Sequence, residues 1–337
     1  MERRDFLKIF SFGTVAAMSL QLGQRPGARP AGIATPGGFA GASSLDDTVL
    51  LEDMSTSVTE LARNMQLMST PAPDVDAYLS EFTGESYSGP ILATTASPSR
   101  HEYIEKMTNF ERVHQEDVYL ARDQYPLLIS TFKHLDRVQN LVGHGNFNIL
   151  SFDEMIRYGK QYDSVGRFSA AELEFMEDLF EANPSRYGFM GEKVITTLTA
   201  AIPEKDRLKV RRTGHFLYRG ESEALYEKLK RDLGESIVLT SGIRSVVKQT
   251  HLFLAKTIQS RGNLSRASRS LAPPGHSYHG VGDFDVGKVG YGRKNFTEAF
   301  AKTEEFRRLV DLGYVDIRYH RNNMLGVRYE PWHIKVV

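Results

Sequence analysis

The sequence predicts an α+β fold: a mainly antiparallel sheet with flanking helices in the C-terminal part, preceded by a mostly helical region. Three observations lead there. After about residue 214, short apolar runs of strand type mix with amphipathic helical stretches without regular βαβ alternation. The chain closes on two strand-type runs, Tyr314–Tyr319 and Gly326–Val337, joined by HRNNML, a hairpin candidate because Asn tolerates positive φ. Between about 45 and 205, apolar residues recur at three-to-four spacing.

The elements follow in order. MERRDFLKIF carries Arg3–Arg4 ahead of the apolar run IFSFGTVAAMSLQLG. A charged start before an apolar stretch of this length reads as an export signal, too short to span a membrane comfortably. RRDFLK resembles the twin-arginine signal, with Glu2 where Ser or Thr is usual. The Gly-, Pro-, Ala- and Ser-rich stretch from Gly23 to Ser44 reads as a flexible linker, so residues 1–44 are taken together as signal and linker. In 45–205, helices are predicted over Val58–Met68, Glu105–Val118 and Ser169–Ala182, the last opened by a Ser169/Glu172 capping box and stopped by Asn183–Pro184. Thr83–Pro98 reads as a loop. His101, His114, His134 and His144 show no metal-like spacing and read as surface or core histidines.

The remaining residues, 206–337, carry the chemistry. KDRLKVRR reads as a solvated helix or strand face. A helix is predicted over Glu221–Leu233, ended by Gly234, then a strand over Ser236–Thr240, a turn at Ser241–Gly242, and a helix over Val246–Ile258. Ala272–Gly290 reads as a Gly-, Pro- and His-rich stretch, and Phe296–Leu312 as a helix with Gly313 at C′.

Composition narrows the function. Lys plus Arg equals Asp plus Glu at 42 each, so no charge surplus argues for a nucleic-acid partner. Cysteine is absent, which excludes disulfides and thiol chemistry and leaves His, Asp and Glu as metal ligands. Two stretches supply them. PGHSYHGVGDFDVG at Pro274–Gly287 holds His276, His279, Asp283 and Asp285 among four glycines, which let a backbone fold until side chains converge. YEPWH near the C-terminus sets Glu330 and His333 around Trp332, the only tryptophan. Imidazole with carboxylate suits zinc, which in catalytic sites takes three protein ligands and keeps a position for water.

SGIRS at Ser241–Ser245 with Gln249 after it, PGHSYHGVGDFDVG, and RYEPWH stand in the order of the zinc D-alanyl-D-alanine carboxypeptidases of the VanY type. The chain resembles that family over about its last 120 residues. The resemblance implies a D-Ala-D-Ala metallopeptidase fold for 206–337. It implies Zn²⁺ held by His279, Asp285 and His333, Glu330 as catalytic carboxylate, and Arg244, Ser277 and Gln249 at the substrate. The family usually spaces its first His and its Asp by seven residues; here His279 to Asp285 is six and His276 to Asp283 is seven. Asp285 is favoured because it precedes Val as the family's Asp does and Ser277–His279 keeps the S-x-H register, with Asp283 the alternative. His276 and Asp283 then read as partners that orient the ligands. Arg244 has two open roles, stabilising an oxyanion or gripping a carboxylate. The expected protein is an exported, periplasmic or extracellular zinc carboxypeptidase acting on peptidoglycan stem peptides, with no membrane span once the signal is removed. The competing expectation is a zinc-stabilised cell-wall-binding module without catalysis, against which a retained Glu330 speaks.

Overall fold

A computed structural model describes residues 100–337. The signal and linker, the helix predicted over Val58–Met68 and the loop at Thr83–Pro98 lie outside the described residues.

The helical part begins with α1 (Arg100–Thr108) and continues with α2 (Tyr125–Val142), the one-turn α3 (His144–Phe147), α4 (Phe152–Gln161) and α5 (Ala170–Glu181). α2 starts with Pro126 in its first turn, where a missing N–H costs nothing, and buries Leu128, Ile129, Phe132, Leu135 and Val138 along one face. α4 and α5 each open on a reciprocal capping box, Ser151 with Glu154 and Ser169 with Glu172. Glu172 also meets His134 Nδ1 at 3.2 Å, so a cap on α5 ties that helix to α2.

The predicted helix over Glu105–Val118 holds only in its first turn: α1 stops at Thr108, and residues 109–118 are turns and irregular backbone. A tertiary ion pair overrides local periodicity here. Asp117 takes Arg269 through both oxygens, at 2.8 and 3.0 Å, and also accepts from Asn263 Nδ2 at 2.8 Å and the His114 amide at 3.0 Å. Burial opposes ionisation of this carboxyl, but these donors outweigh it and hold its pKa below the ordinary value.

The second part contains the two-stranded antiparallel pair β1 (Arg207–Lys209) and β2 (Phe216–Tyr218), then α6 (Glu221–Leu233), β3 (Ile237–Ser241), α7 (Val246–Gln259), the short α8 (Leu264–Ser268), β4 (Phe284–Lys288), α9 (Glu304–Asp311), β5 (Asp316–Ile317) and β6 (His333–Lys335). A four-stranded sheet of order β3-β4-β6-β5 is antiparallel throughout, as the α+β reading predicts. Two expectations are corrected. Phe296–Leu312 is not one helix: 3₁₀ turns at Gly292–Phe296 and Phe300–Lys302 precede α9, whose start is set by Thr303 accepting the Phe306 amide. The last two strands pair through Asp316↔Lys335 and Ile317↔Ile334, so residues 318–332 connect them instead of a tight HRNNML turn.

Alternation along the strands sorts the side chains. Phe284, Val286 and Ile334 join Leu229 and Leu233 of α6, Leu309 of α9 and Trp332 in one core, while Asp285 and His333 point to the opposite face. A second core joins α2, Phe147, Phe175 and Met176 to Val247, Phe253, Leu254 and Ile258 of α7. α7 thus packs on the helical part, together with Tyr319 and Val327 of the connection between β5 and β6. Among the described residues, no helix is long and apolar enough to cross a membrane.

Two outcomes follow from α7. Phe253 is wholly buried, so Phe253→Ala is expected to lower unfolding free energy by about 3–5 kcal/mol in urea denaturation followed by circular dichroism. His251 stacks on Phe132 with ring centroids 5.0 Å apart, and burial pushes its pKa down to about 4 against partial support from Asp136. A depressed imidazole is neutral when folded and charges readily when unfolded, so its contribution is present above about pH 6.5 and is lost as pH falls toward 4. The denaturation midpoint is expected to drop across that window, and less steeply in His251→Gln.

Candidate metal centre

Strand register assembles the site. β4 sits between β3 and β6, so Asp285 lies opposite His333 on one side and Ser241 on the other. Cross-strand neighbours on one face bring their side chains together. His279 arrives from a different direction, on the 3₁₀ turn Tyr278–Gly280. One atom each of His279, Asp285 and His333 falls within 4.8 Å of the others, and all three residues are buried.

The outer nitrogen of each imidazole is occupied. His279 Nδ1 lies 2.8 Å from the Gly242 carbonyl oxygen and donates to it, which leaves Nε2 as the inner atom. Gly242 has to be glycine for this: a Cβ there would stand 2.0 Å from the Phe216 carbonyl oxygen, where β2 crosses the turn. His333 Nε2 lies 3.0 Å from Asp283 Oδ2 and donates to it, leaving Nδ1 inward. Asp283 is itself clamped by Arg318 and by the Val336 amide at 2.8 Å, and burial notwithstanding, these donors hold its pKa well below normal.

The inner atoms do not satisfy one another. Asp285 Oδ1 is 3.2 Å from His279 Nε2 and 3.3 Å from His333 Nδ1. Even so, among the described residues His279 Nε2 and Asp285 Oδ1 have no hydrogen-bond partner of acceptable geometry. Buried polar atoms left this way are expensive unless something else fills the centre. Asp285 must stay charged there: burial would raise its pKa, but His279 and the Arg244 guanidinium, 2.6 Å away, hold it far down. His333 shows the same demand for positive charge. Burial would depress it, yet its contacts with Asp283 and Asp285 push it up to about 9. Two imidazoles and a carboxylate whose inner atoms converge, those of His279 and Asp285 unsatisfied, are the donor set of a divalent transition metal. The cluster is therefore capable of coordinating a metal ion.

Glu330 borders the cluster, its Oε2 3.7 Å from His333 Nδ1. Burial pushes its carboxyl up to about 7, with Arg328 and His333 pulling the other way. Such a group can both accept and release a proton near neutral pH. A cavity of about 240 Å³ opens beside it, lined among others by Arg244, Ser277, His279, Glu330, Trp332 and His333. Tyr319, edge-on to the His333 ring with centroids 4.7 Å apart, is also on its wall.

Six of the seven sequence-predicted site residues thus line one cavity: Arg244, Ser277, His279, Asp285, Glu330 and His333. Gln249 is not on its wall; it is buried and gives its amide to the Ala272 carbonyl at 2.5 Å, bracing the loop behind the site. His276 rests against the Gly191 carbonyl at 3.3 Å, away from the inner atoms. Between the two aspartates, Asp285 contributes the inner oxygen and Asp283 holds the far side of His333. Sequence reasoning missed Tyr319, Arg318 and Arg328. Arg318 and Tyr319 act on Asp283 and His333, and Arg328 on Phe110 as well as on its near neighbours Glu330 and Trp332, pairings that no local pattern announces.

Residues 220–337 match the model of the protein family described as VanY: D-alanyl-D-alanine carboxypeptidase. Comparison with curated proteins finds no match. Among solved structures, the chain is similar to an alanine mutant of the vancomycin resistance D,D-pentapeptidase VanY from a VanB-type resistance cassette, in complex with Zn(II). That match has 21% identity over 43% of this chain and 87% of that one, with a TM-score of 0.31. A second is VanYB in complex with D-alanine-D-alanine, at 19% identity over 45% of this chain and 86% of that one, with a TM-score of 0.33. The C-terminal region therefore matches the family its motifs resemble.

The Asp283 contact can be tested directly. Asp283→Asn keeps the size of the side chain but removes the charge that His333 leans on. Affinity for a metal ion, probed with zinc by chelator competition, is expected to fall roughly 10–100-fold.

Proposed function

We propose that the chain is an exported zinc metallopeptidase that hydrolyses peptidoglycan stem peptides, removing the terminal D-alanine from a D-Ala-D-Ala end. The observation that carries this reading is the convergence of unsatisfied His279 and Asp285 atoms with His333 beside a buried Glu330. The family match over residues 220–337 supports the substrate class, and the twin-arginine-like start supports export. In this reading, residues 206–337 form the peptidase domain and the helical part closes one side of its cleft.

His279, Asp285 and His333 hold the ion. Zinc, when bound, polarises water and the scissile carbonyl enough for attack at neutral pH. Glu330 removes a proton from that water as the water oxygen bonds to the carbonyl carbon. It then delivers the proton to the peptide nitrogen as the C–N bond breaks, and regains its starting state. Burial, which favours the neutral acid, helps Glu330 hold the proton between the two halves of that exchange. Arg244 keeps Asp285 ionised and, on the cavity wall, faces the developing oxyanion. Ser277 lines the same wall and contacts the peptide. Gln249 serves the substrate indirectly, by holding the loop that carries Ser277 and His279.

Glu330→Gln is expected to retain stoichiometric zinc by atomic absorption while D-alanine release from a synthetic pentapeptide falls at least about 100-fold. His333→Ala is expected to lose both zinc and turnover. Full activity in the Gln variant rejects Glu330 as the base. Zinc binding by the wild type with no hydrolysis of any stem peptide turns the reading toward a wall-binding module.

A further inference from the structure

The cavity wall also includes residues beyond the candidate ligands: Lys256 and Gln259 of α7, Glu111, Phe296 and Arg328. Arg328 lies against two rings: its Cζ is 4.5 Å from the centre of Phe110 and 5.0 Å from that of Trp332. Stacking of this kind fixes the plane of a guanidinium without using its donors. One donor goes to the Phe296 carbonyl at 3.1 Å. Nε is buried and, among the described residues, has no hydrogen-bond partner; Glu330 Oε1 pairs with it as an ion at 3.8 Å, beyond hydrogen-bond reach.

The neighbourhood does not supply the missing acceptor. Lys256 pairs with Glu111 at 2.9 Å, and Arg266 takes the other oxygen of the same carboxylate at 2.7 Å. Glu111 is thereby committed twice, and Arg328 is left as a pre-oriented planar cation on the wall of a cleft. A planar pair of acceptors, a carboxylate, matches that fork. The proximity of Nε to Glu330 limits where such a group could sit along a substrate. Successive Cα atoms are about 3.8 Å apart, so the anion belongs to a residue near the scissile bond.

We propose that Arg328 binds a carboxylate of the peptide substrate, and that Phe110, from outside the family-matched stretch, positions it. The inference rests on the peptidase reading of the cleft. The carboxylate has two possible sources, the chain terminus of the peptide or an acidic side chain close to the cleaved bond.

Binding is measured by calorimetry on full-length, zinc-loaded Glu330→Gln protein, so that turnover does not intervene. The probes are a D-Ala-D-Ala pentapeptide as free acid, the same peptide as C-terminal amide, and one with the side-chain carboxylate of its third residue amidated. For a terminal carboxylate, the free acid binds at least tenfold tighter than the amide, Arg328→Gln erases that preference, and Phe110→Ala weakens it with zinc content unchanged. For a side-chain carboxylate, amidating the third residue causes the loss instead, and Arg328→Gln removes that discrimination. Equal binding of all probes by parent and Arg328→Gln, or no binding of any, overturns the inference. Wild-type D-alanine release judges the hydrolase reading separately. Carboxylate-selective binding without hydrolysis leaves the Arg328 site standing and removes the enzyme, and hydrolysis with an indifferent Arg328→Gln does the reverse.

Discussion

A carboxylate enclosed as fully as that of Asp285 stays ionised only in the company of positive charge, and the architecture around it follows from that requirement. Arg244 supplies one charge from the turn after β3, itself steadied by Ser241 at 2.9 Å. The imidazoles of His279 and His333 meet the inner oxygen from two sides, and each is fixed by what its other nitrogen touches. On one side that is the backbone of Gly242, pressed against β2. On the other it is Asp283, which in turn needs Arg318. Removing any of these partners leaves either a misaimed ring or a buried anion without compensation. Together the inner atoms form a donor set capable of coordinating a metal ion.

The sheet alone does not complete the cleft. Its metal face is set by the register of three short strands, but the wall opposite is built by α7 and by the turns after α1. The Asp117–Arg269 pair holds those turns in place, and they carry Phe110 and Glu111 to the rim. The helical part is therefore an architectural component of the cavity as well as a neighbour of it.

Much of this was legible in the sequence where the determinants are local. The capping boxes of α4 and α5, the glycine after α6, and the close spacing of imidazoles and carboxylates in PGHSYHGVGDFDVG and YEPWH are each encoded within a few residues. The central strand β4 was hidden, because Asp285 and Gly287 are residues that strands disfavour, and both stand there for the site and its packing instead of for pairing. The turns at 109–118 read as helix because periodicity carries no information about an arginine some 150 positions away. Arg328 read as nothing at all: an arginine before YEP acquires meaning only when Phe110 and Trp332 are seen against it.

The placement of α7 separates two notions of a unit. Inherited similarity is concentrated in residues 220–337, which include α7 and all three candidate ligands. Folding draws a different boundary, because Val247, Phe253, Leu254 and Ile258 bury themselves against helices that precede that stretch. Excised at its recognisable edge, the stretch would present an uncovered greasy flank to solvent, a surface prone to self-association. The family-matched stretch depends on its neighbour for a place to hide one helix, so the two are inseparable as a physical object though separable as a pattern of letters.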